Sequence, residues 1–171
     1  MQATLYLMLG YPGSGKTTAS KIIHELTGAE HLWADHERRL RFETPTHSQE
    51  EHLALYNALN HKAQSLLEEG ISVVYDTNFS FFKDREHMRK IAEQADAKTV
   101  LVWVHTPKEL AKERATQGAH TQGTRVLGDM PEADFERITG NMEAPADNEA
   151  YTELDGTKLT ESYIKDKLKL V

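Results

Sequence analysis

Apolar residues are spaced along this chain in two alternating rhythms. Short apolar runs rich in β-branched and aromatic residues read as strands. They lie at residues 3–9 (Ala-Thr-Leu-Tyr-Leu-Met-Leu), His31 to Ala34 ending at Asp35, Ser72 to Asp76 and Lys98 to His105, with a last short one around Tyr151–Leu154. Between them, apolar residues recur at three- and four-residue steps, the period of a helix with one buried face. Helices are expected over roughly 16–27, His36 to Phe42, after Ser48 as far as Gly70, Lys83 to Ala95, after Thr106 to Gln117, Pro131 to about Asn141, and from about Glu161.

Local signals mark the ends of these spans. Ser48 and Glu51 have capping-box spacing, in which each side chain satisfies an orphan amide of the first turn. Leu53, Tyr56, Leu59, Ala63, Leu66 and Leu67 are then the expected buried face of the long helix, and Gly70 is its stop. Thr106, Pro107 and Glu109 supply an N-cap, a proline at the first helical position and a capping acid. Strands alternating with helices imply parallel strands joined by right-handed crossovers. The expected fold is a three-layer α/β domain with ligands beyond the carboxyl ends of the strands. Chemistry is therefore expected in the loops after Leu9, Ala34, Tyr75 and His105.

Composition narrows the picture. The 171 residues suit one domain, and 39% hydrophobic with 27% charged residues suits a folded one. With no cysteine, disulfides and Cys-based zinc sites are excluded. The apolar run Leu5 to Leu9 is too short for a signal peptide or a membrane span, so a cytoplasmic protein with no membrane partner is expected. A net charge of −7 argues against a broad nucleic-acid surface but not against one nucleotide held in a local basic pocket.

The clearest chemistry lies after the first strand. Gly10-Tyr11-Pro12-Gly13-Ser14-Gly15-Lys16-Thr17 matches G-x-x-x-x-G-K-[ST], and a helix follows it, as a phosphate-binding P-loop requires. Its glycines let backbone amides curl around phosphate oxygens, and the helix N-terminus adds partial positive charge. Lys16 would reach the β/γ-phosphates of ATP and Thr17 would bind Mg²⁺. Asp76 closes an apolar strand before Thr77-Asn78, where an acid holds the Mg²⁺ shell in P-loop proteins; it also suits a cap or turn. Asn78 could help position an acceptor. Asp35 and Arg38 share the start of a helix: the carboxylate could take a hydroxyl proton and Arg38 could hold the acceptor, or Asp35 could be a plain N-cap. Residues 118–130 contain three glycines and read as a mobile lid. Arg114 before it and Arg125 within it are lid candidates or solvated surface residues. His47, His52 and His61 show no metal-ligand pattern and are expected on the surface. Trp33, Trp103 and Tyr151 are expected in the core or a pocket wall.

Gly10 to Thr17 with Thr18, the Asp35-x-x-Arg38 pair and Val74-Tyr75-Asp76-Thr77-Asn78 together resemble the kinase domain of polynucleotide 5′-hydroxyl kinases. They are equally similar to the broader zeta-toxin-like P-loop kinases of the AAA_33 type. The resemblance runs from residue 3 to about 155 and includes the Met142-Glu143-Ala144-Pro145 turn. It implies a P-loop NTPase fold with a five-stranded parallel sheet in the order 2-3-1-4-5 and a lid after strand four. It implies Asp35 as general base, Arg38 on the acceptor phosphate, and Arg114 or another lid arginine steadying the phosphoryl group.

The reading is thus a single P-loop kinase domain over 1–171. It moves the γ-phosphoryl group of ATP to a hydroxyl, either a 5′-hydroxyl nucleic-acid end or a small molecule such as a nucleotide or sugar. The competing classes are a nucleotide-hydrolysing switch and an ATP-binding module without acceptor. No N-K-x-D guanine motif and no L-S-G-G-Q-like signature supports the first.

Overall fold

The computed structural model describes residues 2–118 and 128–170. Five parallel strands, β1 (Thr4–Leu9), β2 (Glu30–Trp33), β3 (Val73–Asp76), β4 (Lys98–His105) and β5 (Thr152–Asp155), form one sheet in the order β2-β3-β1-β4-β5. This is the order that the resemblance implies. Leu7 of β1 lies opposite both Tyr75 and Leu101, and Trp33 opposite Asp76. The described helices are α1 (Lys16–Thr27), α2 (Ala34–Arg41), α3 (Gln49–Glu68), α4 (Phe82–Gln94), α5 (Lys108–Gln117), α6 (Glu132–Gly140) and α7 (Glu161–Lys167).

A parallel strand at the centre of such a sheet is covered on both faces, which is why β1 is apolar without alternation. Leu5, Leu7 and Leu9 face one side with Leu32, Tyr75 and Leu101, and pack against α3 and α4 through Leu55, Leu59, Leu67, Met88 and Ala92. Tyr6 and Met8 face the other, with Val74, Val102, Val104 and Leu154, under Ala19 and Ile23 of α1 and Ile164 of α7. Each fully buried leucine contributes about 2 kcal/mol relative to exposure. A third, smaller cluster joins Ala111 and Ala115 of α5 to Phe135 of α6, with Tyr11 of the loop after β1 packed against it.

Four local expectations change in the folded chain. In α3 the buried stripe is Glu51, Leu55, Leu59, Ala63 and Leu67, while Leu53 is 55% exposed. Leu53 is two residues from both Glu51 and Leu55, about 200° around the helix, so the stripe facing the sheet leaves it outside. Ser48 does cap α3, its Oγ accepting from the Glu51 amide at 3.2 Å, but the Glu51 side chain does not return the bond to Ser48. Its carboxylate instead accepts from the charged Arg38 guanidinium and from the Thr46 amide and hydroxyl, three donors brought together by the fold. Thr106 does not cap α5, which is flanked by Pro107 without a side-chain cap. Its hydroxyl donates to the Ser14 carbonyl at 2.8 Å. Finally, α2 starts at Ala34 with Trp33 as its N-cap, so Asp35 sits inside the first turn and neither ends the strand nor caps the helix. Of the expected lid, residues 119–127, with Arg125, lie outside the described residues. Met130, after them, is tied to α5 by its amide, which donates to the Ala115 carbonyl at 2.9 Å.

Candidate nucleotide and acceptor site

The chain turns sharply after β1 because glycines allow it. Gly13 has φ +77°, and a Cβ there would collide with the Ala111 carbonyl of α5, so the loop can lie against that helix only without a side chain. Within the loop the Ser14 amide donates to the Tyr11 carbonyl at 3.0 Å. The Lys16 ammonium donates to the Gly10 and Tyr11 carbonyls, both at 2.8 Å. Lys16 thus curls back over the loop it follows, and its charge lies on the side where phosphates bind in a P-loop. Pro12, Gly15 and Thr17 are half-buried, Ser14 is fully buried and Thr18 is exposed.

Neighbouring strands buttress this loop. Asn78, beyond the end of β3, accepts from the Gly10 amide through Oδ1 at 3.4 Å. Thr106, beyond β4, holds the Ser14 carbonyl from below. Beyond β5, Gly156 donates its amide to the His105 carbonyl at 2.8 Å. A Cβ on Gly156 would strike the Thr106 hydroxyl and the Ser14 carbonyl. Gly156→Ala is therefore expected to push this turn off the P-loop, costing about 1–3 kcal/mol of stability by overpacking. Nucleotide affinity should fall with it. Urea unfolding and calorimetric nucleotide titration check this together.

Ser14 Oγ and Asn78 Nδ2 are buried without a protein partner. Buried polar groups are nearly always paired, so two such atoms on the adjoining loops after β1 and β3 suit a polar ligand. For a divalent cation, the candidates are the Thr17 hydroxyl and the Asp76 carboxylate. Asp76 is 4% exposed at the end of β3, with His31 Nε2 at 3.0 Å from its Oδ2. A hydroxyl and a carboxylate are hard oxygen donors of the kind Mg²⁺ takes beside substrate phosphates, without a dedicated protein cage. Among the described residues no group of three or more His, Asp or Glu is arranged to hold a metal.

A second cluster lies beside this loop, beyond the ends of β2 and β3. Asp35 and Arg38 stand one turn apart on α2, the first exposed and the second 4% exposed. Arg38 Nη1 donates to Glu51 Oε1 of α3. On α3, the Tyr56 hydroxyl is 2.7 Å from Thr77 Oγ1, the residue after Asp76. Burial raises the Tyr56 pKa and the Asp35 carboxylate raises it further, while Thr77 and Arg38 oppose them. The phenol therefore stays protonated at neutral pH, near one carboxylate and one guanidinium. The His52 ring lies tilted against Tyr56, with centroids 4.4 Å apart, and burial, then Arg38, lowers its pKa. His47, His52 and His61 are exposed, as expected.

Arg114 runs back from α5 to the turn beyond β5, where Nη1 donates to the Gly156 carbonyl at 3.3 Å. Trp33 is half-buried, stacked between His31 (5.8 Å) and His36 (5.3 Å), a pocket-wall position. Trp103 is half-buried, but Tyr151, just before the edge strand β5, is 45% exposed against it. The sequence reasoning missed Glu51 as a partner of Arg38, Tyr56 as a site residue, and Thr106 and Gly156 as supports of the loop. The only local signal for Glu51 was its capping-box spacing, which pointed to a different partner. Tyr56 read as a core position of α3.

Among the described residues no helix is long and apolar enough to cross a membrane. The sequence profile of the AAA_33 family, an AAA domain, matches residues 5–145. No curated protein matches the chain. Among solved structures, the chain is similar to a protein of Chloroflexus aurantiacus j-10-fl, with a TM-score of 0.78 and 20% identity over 99% of this chain and 98% of that one. It is similar to the Mycobacterium tuberculosis APS kinase CysC, solved with AMPPNP and APS, with a TM-score of 0.68 and 18% identity over 99% and 97%. It is also similar to a chain of the Pnkp1/Rnl/Hen1 RNA repair complex, with a TM-score of 0.67 and 19% identity over 81% of this chain and 43% of that one. At these identities the likeness is one of fold, and the fold is that of P-loop kinases.

Proposed function

The chain belongs to the AAA_33 family of AAA domains, and from that premise we propose that it is an ATP-dependent phosphotransferase with a hydroxyl acceptor. The observation that carries the reading is the pairing of two clusters on one edge of the sheet. The P-loop follows β1, and a carboxylate, a guanidinium and two hydroxyls (Asp35, Arg38, Tyr56, Thr77) gather beyond the neighbouring β2 and β3. A transferase needs, beside the P-loop, a place where an acceptor hydroxyl is held and loses its proton. The APS kinase with its AMPPNP supports ATP as the donor, and the RNA repair complex keeps a 5′-hydroxyl nucleic-acid end among the acceptors to be tried first.

In this reading the acceptor hydroxyl gives its proton to the Asp35 carboxylate as its oxygen bonds to the γ-phosphorus. The bond from that phosphorus to the β–γ bridging oxygen breaks, and ADP leaves. Lys16 leaves the Gly10 and Tyr11 carbonyls for phosphate oxygens and offsets charge as it builds on them. Arg38 steadies the acceptor. Arg114, held against the Gly156 carbonyl, flanks the nucleotide from the turn after β5, and Thr17 and Asp76 would hold Mg²⁺, which supplies further charge neutralisation when bound. Arg125 belongs to the same proposal as a lid arginine.

Asp35→Asn tests it. The amide keeps the size of the side chain but cannot take the proton, so transfer should fall by roughly 10²–10⁴-fold while ATP affinity stays. The assay follows label from γ-labelled ATP onto 5′-hydroxyl oligonucleotides, nucleosides, nucleotides and sugars. Transfer by Asp35→Asn at the wild-type rate would remove Asp35 as the base. ATP hydrolysis with no labelled acceptor would remove the transferase reading.

A further inference from the structure

Glu51 is held from three directions. Oε1 accepts from Arg38 Nη1, and Oε2 accepts from both the Thr46 amide (2.7 Å) and the Thr46 hydroxyl (2.9 Å). The residue is 6% exposed, and its own amide is tied to Ser48. A carboxylate fixed in this way has one orientation available, and so has anything bonded to it. What it bonds is Arg38, whose guanidinium is also buried and which follows Asp35 by one turn of α2. Five turns of α3 carry Glu51 near their start and Tyr56 in the next turns, so the same helix contributes the anchor of Arg38 and the hydroxyl bonded to Thr77.

We propose that Glu51 is a positioning residue of the acceptor site, committing one edge of the Arg38 guanidinium to α3 so that its remaining donors face the acceptor beside Asp35. The proposal rests on the transferase reading above. Burial acts to raise the Glu51 pKa, and the bonds from Thr46 and Arg38 outweigh it and bring it down to about 2, so the anchor stays charged throughout the working range of pH. A planar guanidinium with fixed donors is well suited to being aimed by one edge and to binding by the rest. The competing role for Glu51 is a purely structural staple that ties the segment around Thr46 to the start of α3.

Glu51→Gln separates the two roles. The amide oxygen can still accept from Thr46, but the charge that aims Arg38 is gone. The expected result is a fall in kcat/KM for the acceptor of roughly 10–100-fold, the scale of a misplaced catalytic group. KM for ATP should stay within about twofold, because Lys16 and its loop are untouched. The deciding measurement repeats the change in an Arg38→Met background. If Glu51 acts through Arg38, Glu51→Gln should then alter acceptor kcat/KM by less than about threefold, a non-additive pair. The double variant buries no lone charge, whereas Arg38→Met alone leaves the buried Glu51 carboxylate without its cation, so urea unfolding of each variant is measured beside its kinetics. An equal loss in both backgrounds, or no loss in either, overturns the proposal. A wild-type protein that labels no acceptor overturns the transferase reading itself, before any Glu51 variant is compared.

Discussion

Lys16→Met should lower kcat/KM for ATP by roughly 10³-fold, the upper range for removing one preorganised charged donor from a reacting centre. The methionine keeps the length of the side chain and loses both the charge and the three donors. In the structure that ammonium already lies on the Gly10 and Tyr11 carbonyls at 2.8 Å, inside the turn that phosphate would fill. Little else depends on it, since the cores on both faces of the sheet are built from other residues. Thermal unfolding of the variant should therefore stay close to wild type while turnover collapses. Steady-state ATP turnover and calorimetric titration with a non-hydrolysable analogue measure the two sides. Turnover within about threefold of wild type would show that the loop does not handle the phosphates of ATP.

The largest effect on stability is expected far from that lysine, at Glu149→Leu. Arg85 is completely buried on α4, with Nε and Nη2 donating to the two oxygens of Glu149 at 2.7 and 2.9 Å. Its Nη1 donates to the Phe79 carbonyl at 2.9 Å and the Glu143 carbonyl at 3.1 Å. Removing the carboxylate leaves a guanidinium that cannot give up its proton without a counter-charge in the core. The cost should be about 3–5 kcal/mol, read from urea unfolding. Arg85→Met/Glu149→Leu should recover most of it, because an apolar pair of similar volume has no charge to desolvate. A single Glu149→Leu within about 1 kcal/mol of wild type would show that the pair contributes no more than a surface one.

The same group predicts an acid limit. Burial acts to raise the Glu149 pKa, but Arg85, Arg89 and the Ala146 amide outweigh it and lower it from 4.5 to about 2. A carboxyl depressed in the folded state binds fewer protons there than in the unfolded chain. Its stabilisation is complete above about 4.5 and is lost as pH falls towards about 2. Unfolding followed between those values should show a slope that is smaller in the Arg85→Met/Glu149→Leu pair, where only the other depressed carboxyls, Glu51 among them, still contribute.

This ion pair also bears on the site. Phe79, which Arg85 holds by its carbonyl, donates its amide to the Met8 carbonyl at 3.0 Å and follows Asn78, which in turn accepts from Gly10. The first glycine of the P-loop is therefore linked to a buried arginine on α4 through the loop after β3.

The strands and helices were largely legible because each is specified by residues near one another. The 3–9 run, the P-loop and the 16–27 helix are adjacent in the chain, and the structure gives Thr4–Leu9 and Lys16–Thr27. Ser48 and Gly70 likewise announced the ends of α3. Where the reading went astray, a local rule met a distant competitor. Glu51 fitted a capping box until Arg38 and Thr46 offered it better donors. Thr106 fitted a helix cap until the Ser14 carbonyl came within 2.8 Å of it. Leu53 fitted a helical face that the sheet did not choose.

What this sequence determined by itself is whatever depends on period, cap and motif: a parallel α/β domain and a glycine-rich P-loop turn after its first strand. Backbone propensity and the hydrophobic pattern act over a few residues and can be read along a line. The tertiary structure alone decided which polar groups meet. Glu51 reaches back 13 residues to Arg38, Tyr56 reaches 21 to Thr77, and Glu149 reaches 64 to Arg85. Such pairs form because a buried charge or hydroxyl must find a partner somewhere, and the strand order, not the spacing, brings that partner within reach.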